Sequence, residues 1–217
     1  MTRKSPLVKI CGLSTAASLS AALEAGADMV GFVFFGPSPR NISLSEAAAL
    51  GSLVKGRAKK VALTVDADDA LIDAISRALS PDILQLHGRE TPERAAALSA
   101  RTGKQIMKAI GVRDRADLAG VPAFAEVCDW LLLDAKPPKE ATRPGGNGRA
   151  FDWSILDGFS PGKPWLLSGG LTPANVADAL TLTRAPGVDV SSGVESAPGV
   201  KDEAAIRAFV AAVRALP

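Results

Sequence analysis

Short apolar, β-prone segments alternate with alanine-rich amphipathic segments along the whole of this 217-residue chain. The pattern predicts eight strands, at 7–11, 29–33, 60–65, 82–86, 105–109, 130–134, 164–167 and 188–190. It also predicts eight helices, at 14–25, 43–55, 68–79, 92–101, 113–127, 152–156, 173–182 and 202–216. A helix that connects two strands of one sheet favours a right-handed crossover, and the two strands then pair in parallel. We therefore expect an all-parallel sheet.

The predicted strands are almost wholly apolar, as strands buried on both faces of a parallel sheet should be. An open, doubly wound sheet is one arrangement that fits. Eight strand–helix units without a second zone of composition favour the closed (β/α)8 TIM barrel, an α/β fold near the small end of its size range. We therefore predict a single domain over residues 1–217, with its active site at the C-terminal ends of the strands.

Composition argues against several classes of protein. The chain is 47% hydrophobic and 22% charged, and its 25 basic and 23 acidic residues form no basic block, so no nucleic-acid partner is expected. No apolar run approaches the roughly 18 residues of a membrane span. One histidine and the distant Cys11 and Cys128 make no ligand cluster, so we expect no metal. Without a signal peptide or a CxxC pair, a reduced, cytoplasmic setting is expected.

Unusual residues are concentrated directly after the predicted strands. They lie at Cys11, 36–40, Asp66, 85–88, Asp134, 169–170 and 189–193. The opposite turns, such as 24–28 and 101–103, resemble plain helix stops. In a barrel this asymmetry is typical of the catalytic face.

Cys11 ends the first predicted strand at a strand-to-helix turn, where a thiol would face the open end of the barrel. Its alternative is a small buried hydrophobe, as most free cysteines are. Lys9 lies on the same strand face, because strand side chains alternate. Its ammonium would either favour the thiolate of Cys11 or form a buried ion pair with a strand-end acid.

Asp134 follows three leucines at the end of the sixth predicted strand. Such low-dielectric neighbours disfavour its anion and suit it to act as a general acid, unless it simply caps the next loop. That loop, residues 135–150, has 16 residues with three prolines and three glycines. We predict either a lid hinged at Gly145, Gly146 and Gly148 or a surface insert.

Two glycine-rich turns follow the seventh and eighth predicted strands. Gly169 and Gly170 lie in the first, and Ser192 and Gly193 in the second. Glycine exposes backbone N–H groups and lets a phosphate approach closely, and these two loops are the usual phosphate site of a TIM barrel. Asp189 lies at the same end of the last strand.

Two further side chains are candidates for substrate contacts. Arg40 follows Pro37 and Pro39, which would stiffen its loop and hold the guanidinium ready for a carboxylate or phosphate, although a solvated arginine fits as well. His87 is interpreted first as a hydrogen-bonded wall residue and second as a base. A phosphate site, a cation, a thiol and an acid together favour proton-transfer chemistry on a phosphorylated metabolite.

Seven motifs occur in an order that is specific as a set. They are KICGLS at 9–14, GFVFFGPSPRNIS at 31–43, QLHG at 85–88, LLLDAK at 131–136, GGNGRAFDW at 145–153, LSGGLTPANV at 167–176 and DVSSGVE at 189–195. With these motifs the chain resembles the phosphoribosylanthranilate isomerase family of tryptophan biosynthesis over nearly its whole length. Members occur as monomers and dimers, so the resemblance implies a monomer or homodimer.

The resemblance implies a cofactor-free Amadori rearrangement of N-(5′-phosphoribosyl)anthranilate to 1-(2-carboxyphenylamino)-1-deoxyribulose 5-phosphate. By resemblance, the general acid is Asp134, the base is Cys11 and the anthranilate-binding arginine is Arg40. The phosphate loops match Gly169, Gly170, Ser192 and Gly193, and we add Lys9, His87 and Asp189 to the expected substrate contacts. The third strand departs from the family pattern: Asp66 stands near its end, where an aromatic residue before an asparagine is expected.

Two alternatives stay open at this point. The sister isomerase of histidine biosynthesis performs the same rearrangement on a substrate with two phosphates, but is expected to have an aspartate where Cys11 stands and a second phosphate loop. A non-catalytic barrel that binds sugar phosphates would keep the glycine turns and lose the base or the acid, whereas Cys11 and Asp134 are both present.

Overall fold

Eight parallel strands close into a barrel in the order of the chain. The computed structural model describes residues 5–136, 145 and 150–216. The strands are β1 Leu7–Cys11, β2 Met29–Phe34, β3 Lys59–Thr64, β4 Ile83–Leu86, β5 Gln105–Val112, β6 Trp130–Ala135, β7 Trp165–Leu167 and β8 Gly187–Val190. β8 pairs with β1 and places Asp189 beside Lys9. The predicted TIM barrel is confirmed, and the open-sheet alternative is wrong.

Seven α-helices pack around this barrel in the described residues. They are α1 Ala16–Ala25, α2 Leu44–Val54, α3 Asp69–Leu79, α4 Pro92–Thr102, α5 Val121–Val127, α6 Val176–Thr183 and α7 Glu203–Arg214. Three 3-10 helices lie at Arg115–Gly120, Trp153–Leu156 and Ser192–Val194, and a small hairpin joins β9 Glu195–Ala197 to β10 Val200–Lys201. None of these helices is long and apolar enough to cross a membrane.

Three of the predicted helices differ from those observed. The segment 113–127 divides into a 3-10 helix and α5, because Pro122 sits at the start of α5 and ends the preceding turn. The segment 152–156 forms only a 3-10 turn. α6 begins at Val176 instead of 173, after a turn in which the Thr172 N–H donates to the Asn175 side chain. The hairpin of β9 and β10 was not predicted.

The barrel interior changes from apolar to polar along the strands. Its lower part is an apolar cluster of Met29, Val61, Ile83, Met107, Ala109, Leu132 and Leu166. Burial of each large side chain of this kind contributes about 1.5–3 kcal/mol. Two residues further along the same face, Leu132 is followed by Asp134 and Leu166 by Ser168. The apolar layer therefore supports a polar layer at the C-terminal ends of the strands.

Candidate active site

A cavity opens at the C-terminal ends of the strands. Its volume is about 790 Å³ including the open mouth, in the range of small-molecule sites. Nine of the ten residues predicted for the site line it, namely Cys11, Arg40, His87, Asp134, Gly169, Gly170, Asp189, Ser192 and Gly193. The tenth, Lys9, is fully buried and does not line the cavity.

Cys11 ends β1 with its thiol 3% exposed at the cavity. Its neighbour across the strand pair is Gly31, where a Cβ atom would lie 2.9 Å from the Cys11 Sγ, so the glycine makes room for the thiol. Burial raises the pKa of Cys11, and this effect outweighs the opposing charge of Lys9. Lys9 favours the thiolate as predicted, but it does not bring the pKa below its ordinary value.

Lys9 forms a buried ion pair with Asp189, with 2.7 Å between Nζ and Oδ1. This confirms the ion-pair alternative predicted for Lys9. Burial alone would lower the pKa of Lys9, but the adjacent Asp189 raises it. Ser168 Oγ lies 3.4 Å from the second oxygen of Asp189. The ion pair therefore holds the Asp189 side chain in place in the cavity wall.

Asp134 and His87 are neighbours in the cavity wall, with 3.4 Å between His87 Nε2 and Asp134 Oδ2. Asp134 is 5% exposed. Gly145 covers both side chains, because a Cβ atom there would lie 2.6 Å from His87 Cε1 and 2.7 Å from Asp134 Oδ2. The other two predicted hinges, Gly146 and Gly148, lie outside the described residues, as does most of the predicted lid.

The two glycine turns pack against each other at one side of the cavity. Gly169 and Gly170 have φ angles of +92° and +65°, a region that favours glycine. A Cβ atom at Gly193 would lie 1.8 Å from the carbonyl oxygen of Leu171, so the second turn touches the first through backbone alone. This contact leaves no space for a side chain, and both turns present backbone to the cavity.

Arg40 is held by an acid that the sequence reasoning missed. Glu195, at the start of β9, accepts from Arg40 Nε at 2.6 Å and from Arg40 Nη2 at 2.7 Å. The Arg40 side chain is 4% exposed, so the alternative of a solvated arginine is wrong. One feature of the sequence could have pointed to this acid. Glu195 and Lys201 flank a short glycine-containing turn in the segment that follows the last barrel strand, at the same end of the barrel as the cavity.

A second missed pair supports the loops after β3 and β4. Lys108 Nζ lies 2.8 Å from Glu90 Oε2, and both side chains are buried. Glu90 also accepts from the backbone N–H groups of Asp66 at 2.9 Å and Gly88 at 2.8 Å. Because Gly88 directly follows His87, this carboxylate fixes the turn that presents the histidine. Asp66, the departure noted in the sequence, joins the same turns by accepting from the Arg89 N–H.

Glu90→Gln is expected to lower the free energy of unfolding by about 3–5 kcal/mol, because it leaves the buried Lys108 ammonium without its counter-ion. Urea denaturation followed by circular dichroism measures this change. Glu24→Gln is the matched control, since Glu24 pairs with Arg207 in an exposed position, where ion pairs contribute little. The double variant Glu90→Gln, Lys108→Met should recover part of the loss. Equal midpoints for Glu90→Gln and the wild type would contradict the prediction.

Fold and cavity together define an α/β barrel whose strand ends carry a thiol, a carboxylic acid and two glycine turns of the kind that bind phosphate. The profile of one family, described as N-(5'phosphoribosyl)anthranilate (PRA) isomerase, matches residues 8–212. The chain belongs to this family, as the resemblance of its motifs predicts.

Relatives match over nearly the full length of the chain. The N-(5'-phosphoribosyl)anthranilate isomerase of Nitrobacter hamburgensis is 60% identical, covering 96% of this chain and 93% of its own. The crystal structure of phosphoribosyl anthranilate isomerase from Thermotoga maritima is 35% identical, with a TM-score of 0.88, and covers 97% and 100% of the two chains. A third relative, at 32% identity and a TM-score of 0.85 over the same shares, is in complex with reduced 1-(o-carboxyphenylamino)-1-deoxyribulose 5-phosphate.

Proposed function

We propose that this chain converts N-(5′-phosphoribosyl)anthranilate to 1-(2-carboxyphenylamino)-1-deoxyribulose 5-phosphate by acid–base catalysis. One observation carries the proposal: a buried thiol, a buried carboxylic acid and two glycine turns line the same cavity. Such a cavity offers a base, an acid and a phosphate site to a single small molecule. The family to which the chain belongs supports the same reaction.

Asp134 is the proposed general acid. It donates its proton to the furanose ring oxygen, the bond between that oxygen and C1 breaks, and the anthranilate nitrogen supplies the electron pair that forms an iminium at C1. Its place at the end of β6, under Gly145 and beside His87, keeps bulk water from the carboxyl group. A proton donated from this shielded position serves ring opening rather than exchange with solvent.

Cys11 is the proposed base. Its thiolate removes the proton from C2, which the adjacent iminium acidifies, and the resulting enolamine tautomerises to the ketone. The step forms no covalent bond to sulfur and leaves the overall proton count unchanged. Although burial raises the pKa of the thiol, the cations of Lys9 and Lys201 oppose this effect. In the fraction of molecules that carry the thiolate, the raised pKa makes this thiolate a stronger base.

The substrate's two anionic ends have two proposed sites. The phosphate binds at Gly169, Gly170, Ser192 and Gly193, where glycine leaves the backbone accessible. The anthranilate carboxylate binds Arg40, whose Nη1 makes no hydrogen bond to any other described residue. His87 and Asp189 also line the cavity and are proposed to contact the ribose.

A turnover assay tests the function directly. Anthranilate fluorescence is lost when the substrate rearranges, so purified enzyme and freshly made substrate should give a decay whose rate is proportional to enzyme concentration. Product identity is checked by carbon-13 NMR, which should show the new carbonyl carbon at C2. An unchanged signal at high enzyme concentration would contradict the proposed function.

Gly193→Ala is expected to raise KM by about tenfold, equivalent to about 1.4 kcal/mol of binding. Its methyl group would meet the Leu171 carbonyl oxygen at 1.8 Å, so the phosphate turn has to move. Steady-state kinetics measure the change, and competitive inhibition by inorganic phosphate should weaken in parallel. Gly120→Ala is the matched control, because no atom lies within 4 Å of the added methyl group. Equal phosphate inhibition of Gly193→Ala and wild type would speak against this phosphate site.

Two properties stay predictions. A monomer or a homodimer is expected from the family resemblance. A cytoplasmic location is expected because the proposed base must be a free thiol, and both Cys11 and Cys128 are free.

A further inference from the structure

A buried charged cluster joins two sides of the cavity mouth. We call it the Glu195 cluster, and its members are Arg40, Ser191, Glu195 and Lys201. Glu195 lies between two cations, since Arg40 donates to it through two nitrogens and Lys201 Nζ lies 2.7 Å from its Oε1. Lys201 also donates to the Ser191 carbonyl oxygen at 2.9 Å. All three charged side chains are at least nine-tenths buried.

The hairpin of β9 and β10 holds this cluster against the loop that carries Arg40. Gly199, between the two strands, has a φ angle of +84°, and its backbone N–H donates to Glu195 Oε2 at 3.2 Å. A Cβ atom at Gly199 would lie 2.5 Å from the carbonyl oxygen of Pro39, the residue before Arg40. The hairpin therefore packs on the Arg40 loop so closely that only glycine fits at the contact.

The other end of the cluster reaches the turn that follows Cys11. Ser191 Oγ donates to the Cys11 carbonyl oxygen at 3.1 Å. A Cβ atom at Gly12 would lie 2.6 Å from Arg40 Cδ, so the arginine side chain lies across this turn. Ser191 also directly precedes the 3-10 helix Ser192–Val194 of the proposed phosphate site. One network of contacts thus connects the proposed carboxylate site, base and phosphate site.

With Lys201 protonated the cluster carries one more positive charge than negative, and burial of that ammonium lowers the pKa of Lys201. Burial acts to raise the pKa of Glu195, but hydrogen bonds from Arg40 and the charge of Lys201 outweigh it and lower that pKa. Glu195 is therefore an anion between two cations. A buried excess of positive charge is costly unless an anion comes to compensate it. The excess charge of the cluster suits a site that receives an anionic ligand.

We propose that Glu195 and Lys201 are positioning residues that set the distance between the carboxylate site and the phosphate site, an inference that rests on the proposed function. Glu195 occupies Nε and Nη2 of Arg40 and so directs Nη1 to the substrate carboxylate. Lys201 ties the same Glu195 to Ser191 at the start of the phosphate turn. Neither residue is among the described residues that line the cavity, so both act through their neighbours.

The first test is Glu195→Gln, which keeps the shape and removes the charge. KM for the substrate should rise about tenfold or more, because an arginine that loses a bidentate carboxylate loses its set orientation. Competitive inhibition by anthranilate should weaken by a similar factor, since that probe carries the carboxylate alone. Glu203→Gln is the matched control on α7, where the side chain is half exposed and pairs with Arg207. An unchanged KM in folded Glu195→Gln would overturn the proposal.

A double-mutant cycle separates positioning from general support of the structure. If Glu195 acts through Arg40, adding Glu195→Gln to Arg40→Ala should raise KM no further than Arg40→Ala alone. Independent, additive effects of the two substitutions would overturn the proposal. Should Glu195→Gln fail to fold, Glu195→Asp keeps the charge but shortens the side chain, and the same rise in KM is expected from it.

Lys201→Met tests the link to the phosphate turn. Inhibition by inorganic phosphate should weaken about tenfold in Lys201→Met and change less than about threefold in Glu195→Gln. Equal phosphate inhibition in Lys201→Met and the wild type would overturn this part of the proposal. Failure of the proposed function looks different, because the wild-type enzyme itself would then not turn over the substrate. Binding of anthranilate and phosphate, followed by calorimetry, would still report on the cluster in that case.

Discussion

Asp134→Asn should reduce kcat by about 10²–10⁴-fold, the usual contribution of a general acid or base. The amide is isosteric with the acid, but it has no proton to give to the ring oxygen. Loss of anthranilate fluorescence under saturating substrate measures kcat. KM should change little, because the proposed anion sites at Arg40 and Gly193 are left intact.

Asp129→Asn is the matched control for this substitution. Asp129 directly precedes β6, at the opposite end of the strand from Asp134, and its Oδ2 accepts from the Ile106 N–H at 2.8 Å. An asparagine can keep that hydrogen bond, so activity should stay near the wild-type value. Turnover of Asp134→Asn within a few-fold of the wild type would rule out its proposed role as the acid.

Cys11→Ser is expected to lower kcat/KM by about 10²–10⁴-fold, because a hydroxyl group is a far weaker acid than a thiol and supplies almost no anion at neutral pH. Steady-state kinetics measure the loss. Cys128→Ser is the matched control, since Cys128 is also a buried free thiol but does not line the cavity. Burial raises the pKa of Cys128 to about 11, so it stays protonated. Wild-type activity in Cys11→Ser would exclude the thiolate mechanism.

The pH profile of the Asp134→Asn variant gives the same base a second test, because the wild-type rate also depends on the proton that the general acid carries, and that proton is absent from the variant. Only the thiolate can remove the C2 proton, and burial raises the pKa of Cys11 above its ordinary value. Below that pKa the thiolate fraction rises tenfold for each pH unit, so kcat/KM should rise with pH through neutrality and into the alkaline range. A limb that levels off well below pH 8, at about the ordinary pKa of a histidine, would assign the base to another group.

The barrel could be predicted because its signal is local and repeated. Each apolar run, such as Leu131–Leu133 before Asp134, fits a strand buried on both faces, and each amphipathic run fits a covering helix. The segment 113–127 was predicted as one helix because the spacing of its apolar residues does not show where a helix is interrupted. Pro122 determines where α5 starts. The β9–β10 hairpin was missed because three-residue and two-residue strands leave almost no pattern.

The candidate site was predicted in outline because parallel strands in a barrel end at one face. Cys11, Asp134, Gly169 and Gly193 each follow or end a strand, and that position alone brings them to the same cavity. Glu195 was not singled out, although it lies in the last motif, because nothing in its neighbours shows that its carboxylate turns towards Arg40.

The sequence by itself determined the strand–helix alternation, the parallel barrel and the residues at its catalytic face. Only the tertiary structure decided which charges are paired: Lys9 with Asp189, 180 positions away, and Arg40 with Glu195, 155 positions away. It also decided that burial, more than the nearby lysine, sets the pKa of Cys11. The physical reason is that strand patterns depend on adjacent residues, whereas ion pairing and desolvation depend on the distant strands and loops that barrel closure brings together.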